Sequence, residues 1–306
     1  MPDKIVTVVG ATGSLGLKIV KALLDQGALV RAMVRTTSNR SALEALGVKD
    51  FVVADLMDKA SLKEALMTNP RSDAIIASAA GYTGHTAGDS SLTDREGYKN
   101  LVDAVKDAGI ARFILISVLE CDKATSVPHF YNKHLVEKYL QEKEQPYISM
   151  RAGGFIDQSK DIVHEGIKKG YFPEFFPGIT LGMVYSKDLA RYSAEAALRL
   201  PVDRLNTIVD IGWSTPANGA LLAASFSKIL GRPIEPKPAF PSFAVNVIMP
   251  FLGIFKENIR DMVSMIRWVK KGMYTSKNPQ LQKELFGELP SIDEAVLRYC
   301  QDKKLI

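Results

Sequence analysis

Short apolar runs alternate with amphipathic stretches along the first half of the chain. Residues 5–9, 29–34, 50–53 and 74–77 are four to six residues long and mostly apolar, the texture of strands covered on both faces. After the first of them Leu15, Ile19, Val20, Leu23 and Leu24 recur at helical spacing, and further helical patterns run over 39–46 and 61–66. A longer one covers 96–108 ahead of a fifth strand at 112–116. Pro128 opens a helix reaching Gln141, and a strand at 147–150 follows. Strands alternating with helices predict a parallel sheet with right-handed crossovers, an α/β Rossmann-type doubly wound unit over residues 1–155.

Past residue 155 the rhythm changes. Gly170, Pro173, Pro177, Gly178 and Gly182 punctuate an irregular region, a helix starts near Ser186, and a strand at 207–211 is expected to return to the sheet. Helical patterns at 218–230, 258–271 and 292–301 predict a smaller, mainly helical C-terminal substrate lobe over residues 156–306. The most apolar window, 239–255, is interrupted by Pro241, Asn246 and Pro250. It is too short and too broken for a membrane span and reads as a buried or pocket-lining segment.

Composition narrows the class. The chain has 306 residues, 46% hydrophobic and 24% charged, and its net charge of +5 is spread along it. No basic block points to nucleic acid, although a modest positive field favours an anionic ligand. Cys121 and Cys300 stand alone and far apart, so neither a disulfide framework nor a metal site is expected. A reduced, cytoplasmic setting fits this cysteine usage and the lack of a secretory signal pattern.

The candidate chemistry begins at Gly10-Ala11-Thr12-Gly13-Ser14-Leu15-Gly16, between the first strand and the first helix. Glycines there turn the chain tightly and bare backbone N–H groups at the positive end of a helix, a cradle for a dinucleotide pyrophosphate. After the second strand, where an NAD enzyme places a carboxylate, stands Arg35, with Thr36, Ser38 and Arg40 behind it. A guanidinium beside hydroxyl donors suits a 2′-phosphate, so NADP(H) is the expected cofactor. Asp55 with Leu56 is placed either to meet the adenine or to cap the helix near Ser61. Ser78, Ala79 and Ala80 leave room for the cofactor or allow close packing. Gly153, Gly154 and Phe155 are expected on the nicotinamide side.

These residues, with Arg112-Phe113-Ile114-Leu115-Ile116-Ser117, Lys133-x-x-x-Glu137 and Arg151-Ala152-Gly153-Gly154-Phe155, resemble the atypical short-chain dehydrogenases of the NmrA-like group over residues 4–212. The resemblance implies an NADP-binding Rossmann fold with a small substrate lobe. It covers reductases of quinones, aromatic dyes and plant phenolics, and also non-catalytic sensors that bind a dinucleotide and regulate a partner.

Ordinary short-chain dehydrogenases pair a Ser after the fifth strand with Tyr-x-x-x-Lys. Here Ser117 and Lys133 fill the outer positions, but His129 stands where the tyrosine would be. Positions four apart share a helix face, so His129 and Lys133 face one cleft while Tyr131 does not. The resemblance assigns Lys133 to the cofactor ribose and, in some phenolic reductases, to acid–base catalysis. A desolvated lysine can titrate low enough to serve as an acid, and the alternative is a surface pair with Glu137. Ser117 is placed to donate to a substrate oxygen or to satisfy its own turn, and His129 is the weaker catalytic candidate.

Phe172, Phe175, Phe176, Phe240, Phe243, Met249 and Phe251 would line a pocket or pack a core. The expectation is therefore an NADPH-dependent reductase of a small apolar or aromatic acceptor, a quinone, carbonyl or conjugated alkene. The competing reading is a non-catalytic NADP(H)-binding redox sensor or assembly factor acting through a protein partner; on either reading the partners expected are a small apolar or aromatic molecule and a protein partner or a second copy in a homodimer. A sugar-nucleotide epimerase is disfavoured by the missing tyrosine.

Overall fold

The computed structural model describes residues 4–81, 91–157, 162–272 and 274–306. The chain forms two compact units, residues 1–151 with 187–209, and residues 152–186 with 210–306.

The first unit is built on a seven-stranded sheet. Its strands are β1 (Ile5–Val9), β2 (Leu29–Val34), β3 (Asp50–Val53), β4 (Ala74–Ala77), β5 (Phe113–Val118), β6 (Tyr147–Ala152) and an edge strand at Thr207–Ile211. They lie in the order 207–211, β6, β5, β4, β1, β2, β3. The pairs from β5 across to β3 are parallel, with Val8 opposite both Ala32 and Ile76. All five residues of β1 are buried, as the unbroken apolar run requires of a strand covered on both faces. The strand order reverses direction between β1 and β4, and ligands of open α/β sheets bind in the crevice beyond the carboxyl ends at such a switch point.

Helix α1 (Ser14–Asp25) buries Gly16, Ile19, Val20 and Leu23. Helix α2 (Ser41–Ala45) is a single turn, and α3 (Lys59–Met67) starts two residues before the apolar pattern because Asp58 caps it, accepting from the amides of Ala60 and Ser61. A π-helical turn at Leu92–Gly97 leads into α4 (Tyr98–Asp107), and α5 runs from Pro128 to Glu142. Leu62 and Leu66 of α3, Leu101 and Val105 of α4, and Val136 and Leu140 of α5 form one core with Ile75 and Leu115 of the sheet.

The second unit carries helices at Ile162–Lys168, Gly219–Leu230, Glu257–Val269, Pro279–Phe286 and Ile292–Asp302. Two short parallel pairs accompany them, Tyr171–Glu174 with Glu235–Pro238 and Gly154–Phe155 with Met183–Val184. The first and fourth of these helices, of seven and eight residues, and the short strands do not stand out in the hydrophobic pattern, since strands of two to four residues, one of them with alternate prolines, carry no strand signal. The core of this unit gathers Phe172, Tyr185, Trp213, Phe226 and Tyr299, with Phe226 edge-on to Tyr299 at 5.7 Å between ring centroids. Phe172 is thus a core residue and not a pocket wall. Ser291 and Glu294 form a reciprocal capping box at the start of the last helix.

At the glycine turn the constraint is steric. Gly10 has φ +80°, and a Cβ on Gly16 would stand 2.0 Å from the Gly10 carbonyl oxygen. Gly16→Ala forces the turn open. It is expected to destabilise the chain by about 3 kcal/mol, the upper end of overpacking costs, read as a lowered Tm in thermal unfolding.

Candidate functional site

The glycine turn sits at the β1 end of the switch point. Gly13 donates its amide to the Gly10 carbonyl at 3.0 Å and stands at the N-cap of α1 in extended conformation, with no side chain capping the helix and no acidic residue in its first turn. Thr12, Ser14 and Leu15 complete this approach, which offers backbone donors and the positive end of a helix dipole to an anion. Beside it Ser78 follows β4, its amide and hydroxyl both donating to the Val9 carbonyl at 3.0 Å. A Cβ on Gly10 would meet the Ala79 amide nitrogen at 2.7 Å, so the two loops close on one another only because position 10 is glycine. The small residues at 78 and 79 therefore serve close packing first.

Arg35 follows β2 with its side chain exposed. Its amide donates to the Ser38 hydroxyl and its carbonyl accepts from the Ser38 amide, each at 3.0 Å, which makes a tight turn around the guanidinium stem. Arg40 lies over the Phe51 ring at 5.3 Å and is engaged there. Asp55 follows β3 and accepts the Met57 amide at 2.8 Å in a local turn. It does not cap α3, a role that Asp58 fills. Leu56 is half-buried against Gly97, where a Cβ would approach its own Cβ to 2.8 Å.

Lys133 is buried in α5. Its Nζ lies 3.2 Å from Asp94 Oδ1, donates to the Ala79 carbonyl at 3.4 Å and sits 4.1 Å above the centre of the Tyr98 ring. The other Asp94 oxygen accepts the Gly81 amide at 3.1 Å, and the Tyr98 hydroxyl donates to the Ala79 carbonyl at 2.6 Å. Burial acts to lower the Lys133 pKa, but Tyr98 and Asp94 outweigh it and hold the group above its ordinary value. This environment favours the charged form and runs against the second of the two expected roles, a lysine tuned down to act as an acid. Asp94 and Tyr98 escaped the sequence reading because a π-helical turn sets their register, which no 3.6-residue pattern displays.

One turn on, Glu137 does not pair with Lys133. It is buried and accepts from Ser117 Oγ at 2.9 Å, Ser149 Oγ at 2.7 Å, and the Nε and Nη2 of Arg151 at 3.1 and 2.7 Å. Burial raises its pKa, yet these donors, Arg151 foremost, bring it below the usual carboxylate range. Ser117 is therefore committed to a buried carboxylate and does not present its hydroxyl to a substrate. Cys121 adjoins the same group, its thiol pushed up to about 12 by burial first and then by the charge of Glu137, which disfavours the reactive thiolate.

His129 is buried edge-on against Phe130 at 4.7 Å. Its pKa is lowered to about 3, first by burial and then by the charge of Lys133. It shares the Lys133 face of α5 but is neutral, while Tyr131 packs with His134 at 5.6 Å. Gly153 and Gly154 belong to the second unit. A Cβ on Gly153 would meet the Gly182 carbonyl oxygen at 2.5 Å, so that glycine serves a close chain crossing, and the Gly154 amide donates to the same oxygen at 2.9 Å. Phe155 is half-buried in the same short strand. Ala80 lies between Ala79 and Gly81 at the Lys133 network.

Residues 2–294 match the model of the NmrA-like family. The photosystem II assembly factor Ycf39 of Guillardia theta is 35% identical over 148 residues, 48% of this chain and 46% of that protein. The chain thus spans about half the length of the curated relatives it matches. Among solved structures, the Citrobacter sp. triphenylmethane reductase superposes with a TM-score of 0.74 at 20% identity, over 98% of this chain and 99% of that one. The Escherichia coli NADPH-dependent quinone oxidoreductase QOR2, complexed with NADPH, gives 0.71 at 18%, over 96% and 99%. At such identities the likeness shows a shared fold.

The His129 shift has a signed consequence. Between an ordinary histidine pKa of about 6.5 and the folded value of about 3, the unfolded chain binds a proton that the folded chain refuses, so stability falls as pH drops through that window. From pH 7 to pH 5 this removes about 2 kcal/mol, and His129→Gln is expected to flatten that part of the stability–pH profile in denaturant unfolding.

Proposed function

We propose that this chain, which belongs to the NmrA-like family, is an NADPH-dependent reductase that delivers hydride to a small apolar or aromatic acceptor such as a quinone, carbonyl or conjugated alkene. The observation that carries this reading is the bare-backbone cradle at the β1/β4 switch point, where a side chain at Gly10 or Gly16 would collide with backbone and no carboxylate occupies the first turn of α1. Such a cradle fits a pyrophosphate. Arg35, exposed at the end of β2, takes the 2′-phosphate, and Asp55 with Leu56 takes the adenine end.

An ammonium has three donors. Those on Lys133 face Asp94, the Ala79 carbonyl and Tyr98, and the nicotinamide ribose is assigned to the same ammonium, sharing it with these neighbours. Bound NADPH supplies the hydride. The permanent charge of Lys133 stabilises negative charge developing on the acceptor, and solvent delivers the proton, because neither a neutral, buried His129 nor a Ser117 bound to Glu137 is suited to do so.

A second reading has support of its own. Relatives of about a third identity are named as photosystem II assembly factors, and position 129 lacks the tyrosine of ordinary short-chain dehydrogenases. On that reading the same cradle binds NADP(H) to regulate association with a protein partner.

Titration of the apoprotein with NADPH and NADH separates the cofactor assignments. Arg35→Ala is expected to weaken NADPH binding about tenfold or more and leave NADH unchanged; an equal loss for both would remove Arg35 from the site.

Turnover is tested with a panel of quinones. The paired variant Lys133→Met/Asp94→Asn, which leaves no lone buried charge, is expected to weaken NADPH binding by about tenfold, the loss of one ribose contact, and turnover at saturating NADPH by about a hundredfold. Absence of turnover in the unmodified chain with every acceptor, together with a partner whose association follows the NADPH/NADP⁺ ratio, would establish the regulatory reading instead.

A further inference from the structure

The stretch 239–255 holds no charged residue, and the second unit does not bury it. A π-helical turn at Ala244–Ile248 runs into a short helix at Met249–Gly253, which packs against the helix Glu257–Val269. The packing goes through Gly253, where a Cβ would lie 3.1 Å from the Arg260 Cα. Contact through a glycine leaves the large side chains on the outside. Phe243, Val247, Phe251, Ile254 and Phe255 are each between 62% and 74% exposed, and Ile248 and Leu252 are also exposed. They run from the residue before the π-helical turn through the short helix to Ile254 and Phe255 just beyond it, and the Phe251 and Phe255 rings meet edge-on at 5.7 Å, so the whole segment presents apolar surface. This inverts the usual rule, in which the periodic apolar face is the buried one.

The cations beside the stripe indicate what covers it. From Lys256 to Lys271 there are five basic residues, Lys256, Arg260, Arg267, Lys270 and Lys271, against two acidic ones, Glu257 and Asp261. Arg267 and Lys270 share a small crevice with Asn246 and Pro250, so the positive charge lies at the edge of the apolar element itself. Phenylalanine-rich apolar surface flanked by basic residues is the composition of elements that lie in a bilayer interface, with rings among the acyl chains and cations at lipid phosphates. A protein-binding stripe has no comparable need for a basic rim. Among the described residues no helix is long and apolar enough to cross a membrane, so the element lies in one leaflet and does not span.

We infer that residues 243–255 form a monotopic docking element for an anionic lipid bilayer, with Arg267 and Lys270 contacting headgroup phosphates at its rim. The inference is independent of the proposed reductase activity, since it uses residues outside the dinucleotide cradle.

The test is flotation of the full chain with vesicles of phosphatidylcholine alone and of phosphatidylcholine with 30% phosphatidylglycerol, followed by the same assay at raised salt. The chain is expected to float with the anionic vesicles, at least tenfold more than with the neutral ones, and less as salt rises. Phe251→Ser/Phe255→Ser, at exposed positions, is expected to lower recovery on anionic vesicles about tenfold or more. Arg267→Gln/Lys270→Gln is expected to abolish most of the preference for anionic over neutral lipid. NADPH titration on both variants checks that the fold persists, because their positions lie outside the cradle.

Failure of the unmodified chain to float, or equal flotation on both vesicle types, would overturn the inference. Sedimentation showing self-association that the phenylalanine variant abolishes, without lipid binding, would assign the stripe to an interface between copies. Addition of free inorganic phosphate at millimolar concentration should not release the chain; release by phosphate alone would reduce the crevice to an anion site and also overturn the docking role.

Discussion

The buried charge of Lys133 is the constraint on which the rest of the candidate site depends. Removing an ammonium from water costs several kcal/mol unless opposite charge and hydrogen bonds replace its hydration. Asp94 and the Tyr98 ring, four residues apart on one helical segment, and the Ala79 carbonyl from the loop after β4 supply that replacement. Satisfying one side chain therefore fixes the loop after β4, the π-helical turn before α4 and the face of α5 against one another. The loop after β4 is the same one that closes on Gly10. The position of the cradle and the position of the lysine are thus two consequences of one packing arrangement.

Along α5 the positions 129, 133 and 137 lie on one face and carry a neutral imidazole, a cation and an anion. Lys133 and Glu137 are spaced to pair with each other, yet each is taken by a stronger partner from elsewhere in the fold. Arg151 binds Glu137 through two nitrogens, a geometry a lysine cannot provide. Separating the charges in this way leaves Lys133 close to a single carboxylate. His129 lies near enough to feel the cation, and this helps keep it unprotonated. The missing tyrosine is not replaced by another acid in this group of residues, which is why the chemistry proposed draws its proton from solvent.

Much of the first unit was legible in the sequence. The strands at 5–9, 29–34, 50–53, 74–77 and 207–211 occupy the spans that their apolar runs predict, and the glycine turn lies where strand meets helix. What periodicity could not show was which polar partners meet across the fold. Ser117 read either as a substrate donor or as a group satisfying its own turn, because its position after a strand does not reveal Glu137, 20 residues on in sequence and 2.9 Å away in the fold. Lys133 read as tunable because burial was visible in its apolar neighbours, whereas Asp94 and Tyr98 stand 39 and 35 residues away in sequence and meet it only through the fold. In the second unit, the stretch 239–255 read as buried or pocket-lining because it is too short and too interrupted for a membrane span, whereas the structure turns most of its large apolar side chains outward.

That outward face bears on the acceptor class through partition. An apolar quinone or conjugated alkene is concentrated in lipid by the same transfer free energy that favours burial of the phenylalanines. A chain held at a bilayer would meet such an acceptor at a concentration far above its aqueous one, so low affinity for the acceptor would not limit turnover there. A polar acceptor gains nothing from the same location. The docking element and an apolar acceptor therefore reinforce one another physically, although each stands on different residues: the cradle on Gly10, Gly16, Arg35 and Lys133, and the stripe on Phe243, Phe251 and Phe255 with its basic rim.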